Sequence, residues 1–512
     1  MSRSLFVAVC LCVCAVTLAH GNLMGCPGPA DPEDTGIIVA MSIAGINRAI
    51  VDALPILEAD LMLFHMEDVH DKLDLVITTV DVDLTDFSVT GFDIESLKVN
   101  TLPDTDSVQF SLGDSSIMIN FEWAVTEESW PYLHDGGPGS LTASGISGIM
   151  IGQDVFDDEC GLVTVEVTDV NFSYGDIELV LTGGEIFADI INVLINALTK
   201  LFADELNTLL QDGFQQALTH QFYHVIPYYR VLPDDLKQDM RVTSQFDVLD
   251  GYVAMPVTGY TYPAEIGKAY QDRPMPQPTD MPHIVTDADM QFILDQSIYG
   301  SLFTSMQLNG LLEGSVSPDE VVNPQLRSMM NTSILANICP GVYDVYPDEP
   351  VAVALTVSDI VWPEFQIMPS AGLLNITGTI EAFSGPDLDV PVLSVDCSLG
   401  LSAVPYLWVE VGTYSNATHI SLDFYAYNVD VYSAHSDYGD IDLTSMPVQQ
   451  TMMQLLTILS ADAVAPFLTD LLVEDSPSWG SPGDFFLWDQ AEFIFNSFHE
   501  GEGWMCVSIP LE

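Results

Sequence analysis

Two long apolar segments open the two halves of the chain, and each is followed by a long stretch in which apolar and polar positions alternate. The segments are residues 36–62 and residues 289–314. Both are apolar round most of the helical circumference, so we predict two helices that are buried on nearly all sides. A sheet wrapped round each helix would supply this burial, and space between sheet and helix would be a place for lipid.

The alternating stretches predict antiparallel strands with one apolar face, beginning in the first half with residues 73–100. Each half then closes with a helix whose apolar residues recur at three- and four-residue steps, over residues 185–222 and 446–474. Residues 225–285 are rich in proline and are typical of a crossover. An apolar strand pair is predicted at the C-terminus. Helix, strands and helix thus occur twice, which indicates a diverged duplication.

The N-terminus has the features of a signal peptide over residues 1–21. Arg3 precedes an apolar core, and the small residues Ala19 and Gly21 fit a cleavage site. The apolar run is shorter than the roughly 20 residues of a membrane span. We therefore predict a protein that is secreted or resides in the lumen of the secretory pathway. Four N-glycosylation sequons support this route and begin at Asn171, Asn331, Asn375 and Asn416.

Five cysteines remain after the signal peptide: Cys26, Cys160, Cys339, Cys397 and Cys506. In an oxidising compartment we expect one or two disulfides, with at least one thiol unpaired or used between chains. Their wide spacing and the absence of a CxxC pair argue against a zinc site.

The charge of the chain is strongly unbalanced, with 74 acidic residues against 11 Lys plus Arg and a net charge of -63. No basic patch can be built from so few cations, so nucleic acid and strongly anionic membranes are excluded as partners. The simplest role of the acidic surface is to keep a chain that is 48% hydrophobic in solution.

Acidic residues also raise the alternative of calcium binding, which prefers oxygen ligands. The candidate groups are Asp81, Asp83 and Asp86; residues 154–159; and Asp437, Asp440 and Asp442. None has the spacing of an EF-hand loop, and on alternating strands such residues form the solvated face. We therefore predict no metal site.

No enzymatic motif is present. The chain has no GxSxG elbow, HExxH pair or phosphate-binding glycine loop. Histidines with acidic neighbours are expected by chance among 74 carboxylates. We therefore predict a protein that is not an enzyme and needs no cofactor.

The order of elements resembles one known family. Its parts are a strand at Gly36-Ile-Ile-Val that runs into a helix, Cys160 before LVTVEVTDV and a long helix, the proline-rich crossover, the helix around IYGSLFTSMQLNGLL, and a late helix before a C-terminal strand. This layout resembles the bactericidal/permeability-increasing protein, lipopolysaccharide-binding protein and the plasma cholesteryl-ester and phospholipid transfer proteins. The likeness covers nearly the whole mature chain and rests on layout more than on identities.

The resemblance implies an α+β fold with two tubular barrels, each a curved antiparallel sheet wrapped round a long helix, joined by a central sheet into a boomerang. It divides the chain into an N-terminal barrel (22–224), a crossover with the central sheet (225–285) and a C-terminal barrel (286–512). Family members hold phospholipid or neutral lipid in an apolar pocket of each barrel.

The chain departs from the family in two respects. The family pairs a cysteine at the position of Cys160 with one in the following helix, and here that helix has none. The basic tip with which the bactericidal members bind lipopolysaccharide is replaced by loops that are acidic or aromatic, around LFHMEDVHDK and TEESWPYLHDGGPGS. In the second loop Trp130 and Tyr132 are candidates for contact with lipid headgroups, whereas Trp123 is assigned to the core.

The leading hypothesis is a secreted protein that binds or transfers phospholipid or another apolar lipid and makes transient contact with membranes that are not strongly anionic. The alternatives are an innate-defence binder of microbial lipid or lipopolysaccharide and a structural scaffold. The candidate lipid-lining residues lie on the apolar helix faces, where packing in the core is an equally simple role. They are Ile43, Ile46, Ile50, Leu54, Ile190, Leu194, Leu198 and Leu201 in the first half, and Phe292, Ile298, Leu302, Phe303, Leu455, Leu459 and Phe467 in the second.

Overall fold

The computed structural model of the chain describes most of both halves, and strands dominate it. The described residues are 30–31, 34–62, 68–74, 79–127, 134–157, 162–182, 195, 199, 206–208, 210–215, 229–231, 235–264, 281–319, 321, 324–368, 370–411, 416–460, 464–466, 468–469, 492–497 and 503–510. The predicted signal peptide, Cys26, Cys160, Trp130, Tyr132 and most of the predicted helix over 185–222 lie outside them.

In chain order the strands are β1 (Ile37–Ser42), β2 (Val69–Asp74), β3 (Thr79–Asp93), β4 (Ser96–Leu102), β5 (Ser107–Glu127), β6 (His134–Asp157), β7 (Leu162–Ser173), β8 (Asp176–Leu181), β9 (Tyr229–Val231), β10 (Leu236–Asp239), β11 (Asp247–Leu249), β12 (Tyr252–Val257), β13 (Thr261–Pro263), β14 (Met290–Asp295), β15 (Gly314–Val316), β16 (Ala352–Met368), β17 (Ala371–Ser384), β18 (Val390–Val411), β19 (Asn416–His435), β20 (Glu492–Ser497) and β21 (Gly503–Ile509).

Within the described residues the helices are few and mostly short. They are α1 (Ile43–Leu61), α2 (Gln296–Leu308), α3 (Pro324–Met329), α4 (Thr332–Leu335), α5 (Pro340–Val345) and α6 (Met446–Leu459), with a 3-10 turn at Pro103–Thr105. Residues 206–208 and 210–215 are helical as well and belong to the predicted helix over 185–222.

A six-stranded sheet unites the start, the middle and the end of the chain, in the order β11-β12-β1-β14-β21-β20. All its neighbours are antiparallel. The order is symmetric about the β1–β14 pair, because each of these strands leads into a helix and has a hairpin on its outer side. This arrangement agrees with the duplication predicted from the repeated element order.

The two segments that the apolar pattern predicts as helices begin as strands, so this part of the prediction is wrong. The strand that the resemblance implies at Gly36-Ile-Ile-Val is present as β1. All six residues of β1 and all six of β14 are buried, and Val39 lies opposite Phe292. A short run that is apolar on every side fits a strand covered on both faces as well as it fits a buried helix. The helices start only at caps, where the Ser42 hydroxyl accepts from Gly45 N and the Asp295 carboxylate from Ser297 N.

Burial on nearly all sides is found for α2 but not for α1. Residues 296–306 of α2 are all buried. Along α1 a solvent-facing stripe includes Arg48 and Val51, and Val51 is 61% exposed. The first helix is therefore amphipathic, since its sheet covers it from one side.

Two further sheets carry the long alternating strands. The first contains β2-β3-β5-β6-β7, with β4 paired to β5 and β8 to β6, and the second has the order β15-β16-β17-β18-β19. Buried and partly exposed residues alternate along the whole of β17, as the period-two pattern predicts. A small sheet, β13-β10-β9, lies in the proline-rich segment.

Side-chain hydrogen bonds fix the helices to these sheets. The Asn47 amide of α1 donates to Val99 O at 2.9 Å and accepts from Val99 N at 2.7 Å on β4. The Ser301 and Ser305 hydroxyls of α2 bond the backbone N–H and C=O of Thr261 at 3.1 and 2.8 Å. Each pair satisfies backbone groups that would otherwise be left unpaired next to a helix.

Carboxylates of the first sheet close the outer edge of the central sheet. Asp154 accepts from Phe246 N at 2.7 Å, and Asp106 accepts from Val248 N at 3.1 Å, next to and within β11. Burial raises the pKa of Asp154 to about 6, against the bond from Phe246 that lowers it, and nearby Asp106 and Asp247 raise it further. The contact therefore holds a carboxylate that is costly to ionise.

The described cysteines form no disulfide with one another. Cys339, Cys397 and Cys506 are buried free thiols. Burial raises the pKa of Cys397 to about 11 and that of Cys506 to about 12, so neither is reactive as a thiolate at neutral pH. The expectation of an unpaired thiol is thus met for these three.

We predict that Gly259→Ala destabilises the central sheet. Gly259 has a φ of +80°, and a Cβ there would lie 2.6 Å from Ile37 Cγ1 on β1. The clash adds to the backbone strain, so the free energy of unfolding should fall by about 2 kcal/mol or more. Urea denaturation measures this. Gly251→Ala is the matched control, because Gly251 has a φ of +76° with nothing within 4 Å, and an equal loss there would contradict the steric explanation.

We predict that Asp154→Asn stabilises the protein at pH 7.5 and leaves it unchanged near pH 3.5. The pKa of Asp154 in the folded state lies above its ordinary value of 3.8, so stability is lost as the pH rises through about 6. An amide oxygen can still accept from Phe246, and the gain should reach up to about 3 kcal/mol. Denaturation across pH 3.5–7.5 tests this, with exposed Asp104→Asn as the control. A gain that is the same at both ends of the range would contradict the prediction.

Candidate functional site: an apolar cavity under the second sheet

An apolar cavity lies between α6, the second sheet and the segment that precedes β16. The sheet contributes neighbouring residues of β16, β17 and β18, among them the cross-strand pair Val353 and Ala382. The lining residues are Met329, Met330, Leu335, Ile338, Val351, Val353, Ile380, Ala382, Leu393, Val395, Met452, Leu455, Leu456 and Leu459. All of these side chains are apolar, so the cavity offers hydrocarbon contacts and no side-chain hydrogen bond.

Residues 324–351, which we call the cap segment, close the cavity and contain α3, α4 and α5. Val351 N donates to Met330 O, and Thr332 N donates to Glu349 O, which ties the two ends of the segment together. The Ser384 hydroxyl of β17 donates to Pro350 O at 3.1 Å. The cap segment is therefore fixed to the sheet at its C-terminal end.

A second set of contacts fixes α5 to the loop after β19. The Cys339 thiol donates to the Ser436 hydroxyl at 3.4 Å, and the Tyr346 and Tyr438 rings meet edge to face, 5.8 Å apart. Gly341 approaches Tyr438 O so closely that a Cβ would lie 1.8 Å from it. At the other end of the cap segment, α3 packs against α6.

The cavity is small, about 30 Å³. A water molecule would fit by size but would not be stable there, because water needs polar partners. A cavity lined by Leu, Ile and Met offers none. Three methionines are in the lining, and their unbranched, flexible side chains adapt to irregular contents.

The structure places some of the predicted lining residues at this cavity. Leu455 and Leu459 of α6 line it. Phe292 lies on β14 in the central sheet, not on a helix. Phe467 lies outside the described side chains. Whether Leu455 and Leu459 contact lipid stays a prediction.

The predicted residues on α2 face a different part of the core. The Phe303 ring lies 6.0 Å from Phe365 and 5.9 Å from Phe424, and Tyr299 lies 4.9 Å from Phe365. Ile298 and Leu302 are buried in the same hydrophobic cluster. None of the α2 residues is among those lining the cavity, because this aromatic contact fills the space between α2 and the second sheet.

The predicted residues of the first half are only partly described. Ile46 and Ile50 are fully buried on α1, and Ile43 and Leu54 are half-buried. The remaining four lie outside the described side chains: Ile190, Leu194, Leu198 and Leu201. Trp123, assigned to the core, is 3% exposed, and its Nε1–H donates to Thr182 O at 3.3 Å.

Sequence reasoning missed the cap segment. Met329, Met330, Leu335 and Ile338 line the cavity, yet the pattern of apolar positions predicts no element for them. The signal was present as apolar residues at three- to five-residue steps within PQLRSMMNTSILANICP. The helices there have only four to six residues each, too short for a helical period to be recognised.

The other predicted sites have simple structural roles. Among the described residues no three His, Cys, Asp or Glu side chains are placed to hold a metal ion. Asp81 pairs with Lys72 at 3.3 Å, and Asp83 with His70 at 2.7 Å, on the exposed face of β2 and β3.

None of the helices in the described part of the chain combines the length and apolarity needed to cross a bilayer.

The sequon asparagines differ in their surroundings. Asn171 is exposed on β7. Asn331 caps α4, accepting from Ser333 N and donating to Asp348 O, and Asn375 accepts from the Tyr427 hydroxyl at 3.0 Å. Asn416 begins β19, and its side chain lies outside the described set. Glycosylation at these positions stays a prediction.

We predict that the cavity wall contributes measurably to stability. Met452 is 2% exposed and lines the cavity, whereas the adjacent Met453 is 37% exposed on the same helix. Met452→Ala removes buried contacts beside an existing void and should lower the free energy of unfolding by about 2–5 kcal/mol. Met453→Ala should cost less than about 1 kcal/mol. Equal losses in urea denaturation would contradict the placement of α6.

Similarity to known proteins is found at the level of structure. No family model and no curated protein sequence matches the chain. Among solved structures it is similar to lipopolysaccharide binding protein, with 14% identity, a TM-score of 0.46, and coverage of 93% of this chain and 99% of that one. Takeout 1 of Epiphyas postvittana has 14% identity and a TM-score of 0.25, covering 38% and 95%. P47 of Clostridium botulinum A2 has 8% identity and a TM-score of 0.25, covering 94% and 98%.

Proposed function

We propose that this chain is a secreted, non-enzymatic protein that binds apolar lipid inside its two long-stranded sheets. The observation that carries the proposal is the cavity under the second sheet, which is lined by apolar side chains from three strands, α6 and the cap segment. Burial of each CH2 group there is worth about 0.8 kcal/mol relative to water. A lipid that leaves a bilayer already has this burial, so exchange between membrane and cavity is nearly balanced, as a carrier requires.

The finer architecture forms part of the same proposal. Each long-stranded sheet would curl round its helices into a tubular barrel, and the six-stranded sheet would join the two barrels. The symmetric order about β1 and β14 supports this arrangement. A phospholipid or another apolar lipid would be held in each barrel.

The charge of the chain supports this proposal over the alternative of a binder of lipopolysaccharide. Lipopolysaccharide is anionic, and a surface with 74 carboxylates against 11 Lys plus Arg repels it. For the same reason we propose that membrane contact is transient and avoids strongly anionic surfaces.

We expect the purified full-length protein to carry lipid, detected by native mass spectrometry and by extraction. Ala382→Leu fills the cavity and should reduce the bound lipid per protein severalfold, because it occupies the hydrocarbon space. Ala354→Leu is the matched control, since Ala354 lies on the neighbouring strand, next to cavity-lining Val353 and opposite Glu381. Thermal denaturation verifies that both variants fold.

Two results would count against this function. The first is recovery of no lipid together with no uptake from labelled phosphatidylcholine vesicles. The second is an equal loss of lipid in Ala382→Leu and Ala354→Leu, because this would show that the lipid is not bound in the cavity.

A further inference from the structure

Arg327 is the sole Lys or Arg between Arg273 and the C-terminus. Apart from histidines, the other ionised side chains of this half are all acidic. Arg327 lies beside the apolar cavity, so it is a candidate for binding the charged headgroup of an apolar ligand.

The position of Arg327 follows from α3 and the turn after it. Met330 N donates to Arg327 O at 3.3 Å, so the two residues are one turn apart. Residues three apart lie on the same face of a helix, and both Met329 and Met330 line the cavity. The Arg327 side chain therefore starts at the edge of the cavity lining.

The guanidinium is held in place but is still able to bind a ligand. Its Nε–H and an Nη2–H both donate to Val321 O, at 3.1 and 2.5 Å. The side chain is exposed. Within the described part of the chain no carboxylate lies within ion-pair distance of it. A guanidinium has five N–H donors, and the bonds to Val321 use two of them. The other three lie in one plane, an arrangement that suits a carboxylate.

The partly exposed residues of the cavity lining belong to α3, the helix that contains Arg327, and to α6. Among the lining residues, Met329 of α3 and Leu455 of α6 are half-buried, and the others are buried. We therefore place the entrance between α3 and α6.

We propose that this cavity binds a single-chain amphiphile with a carboxylate headgroup, a fatty acid, whose carboxylate is held by Arg327 while its hydrocarbon chain enters between Met329 and Leu455. The inference rests on the proposed lipid-binding function and names the ligand class of that site. One chain requires less rearrangement of the lining than two, because the cavity volume is only about 30 Å³ before the methionines move. One negative charge is favoured over two, because exposed Asp319, Asp344 and Asp348 lie in and just before the cap segment and repel anions.

The test compares three probes that share a 16-carbon chain or close to it: palmitic acid, hexadecanol and a lysophosphatidic acid. Delipidated full-length protein is titrated with each, and the same is done for Arg327→Gln. Loss of a charge-assisted hydrogen bond should weaken palmitate binding about tenfold or more and leave hexadecanol unchanged. Arg327→Lys, which keeps the charge but not the planar fork, should lose less. Arg48→Gln, at an exposed cation on α1, is the control and should change neither ligand.

Each alternative result has a distinct meaning. If Arg327→Gln weakens palmitate and hexadecanol equally, Arg327 only supports the fold of α3 and the proposal is wrong. The same holds if palmitate binding does not change. Tighter, Arg327-dependent binding of lysophosphatidic acid would replace the carboxylate by a phosphate monoester and overturn the ligand class. If the unaltered protein binds none of the three probes and carries no lipid, the lipid-binding function itself fails.

Discussion

The antiparallel pairing of β1 with β14 is the constraint on which the other elements depend. It joins residues 37–41 to residues 290–294, far apart in sequence, and every residue of both strands is buried. Backbone groups buried so completely must be paired within the sheet. The hairpins β11–β12 and β20–β21 supply the outer partners, so the start, middle and end of the chain have to meet in one sheet before either half is complete.

The environment of each helix follows from this sheet. Both β1 and β14 run directly into a helix, and the two helices leave from neighbouring antiparallel strands. The second sheet, β13 and the aromatic contact of Phe303 with Phe365 enclose α2 on all sides. The first helix keeps a solvent-facing stripe, because its contacts come from β3 and β4 on one side. Two segments with similar composition therefore reach different degrees of burial.

Charge and cavity are connected in the second half. Acidic side chains occupy the exposed positions of the alternating strands, whereas the cavity lining carries no charge. An example is Asp396, which accepts from the Thr379 and Ser433 hydroxyls on the exposed face. These bonds lower the pKa of Asp396, Ser433 first and Thr379 second, so it stays ionised there. Because the surrounding surface is acidic, Arg327 beside the apolar cavity is the place in this half where an anionic headgroup would be attracted. The acidic side chains of the rest of this half repel anions.

The pattern of residue types was sufficient to predict the long strands, the repeated element order and the apolar face of the late helix. Alternation along β17 needs no tertiary information, because a strand exposes one face and buries the other. The spacing of Leu455 and Leu459 already placed both on one face of α6. Long-range packing was needed to show that β14 is a strand, since a short run covered on both sides carries no period. For β1 the pattern of apolar residues was equally insufficient, and the strand was expected only from the resembled layout. Packing also selects which apolar residues line a cavity: Phe303 and Leu459 are both apolar, but Phe303 packs against the ring of Phe365 whereas Leu459 lines the cavity.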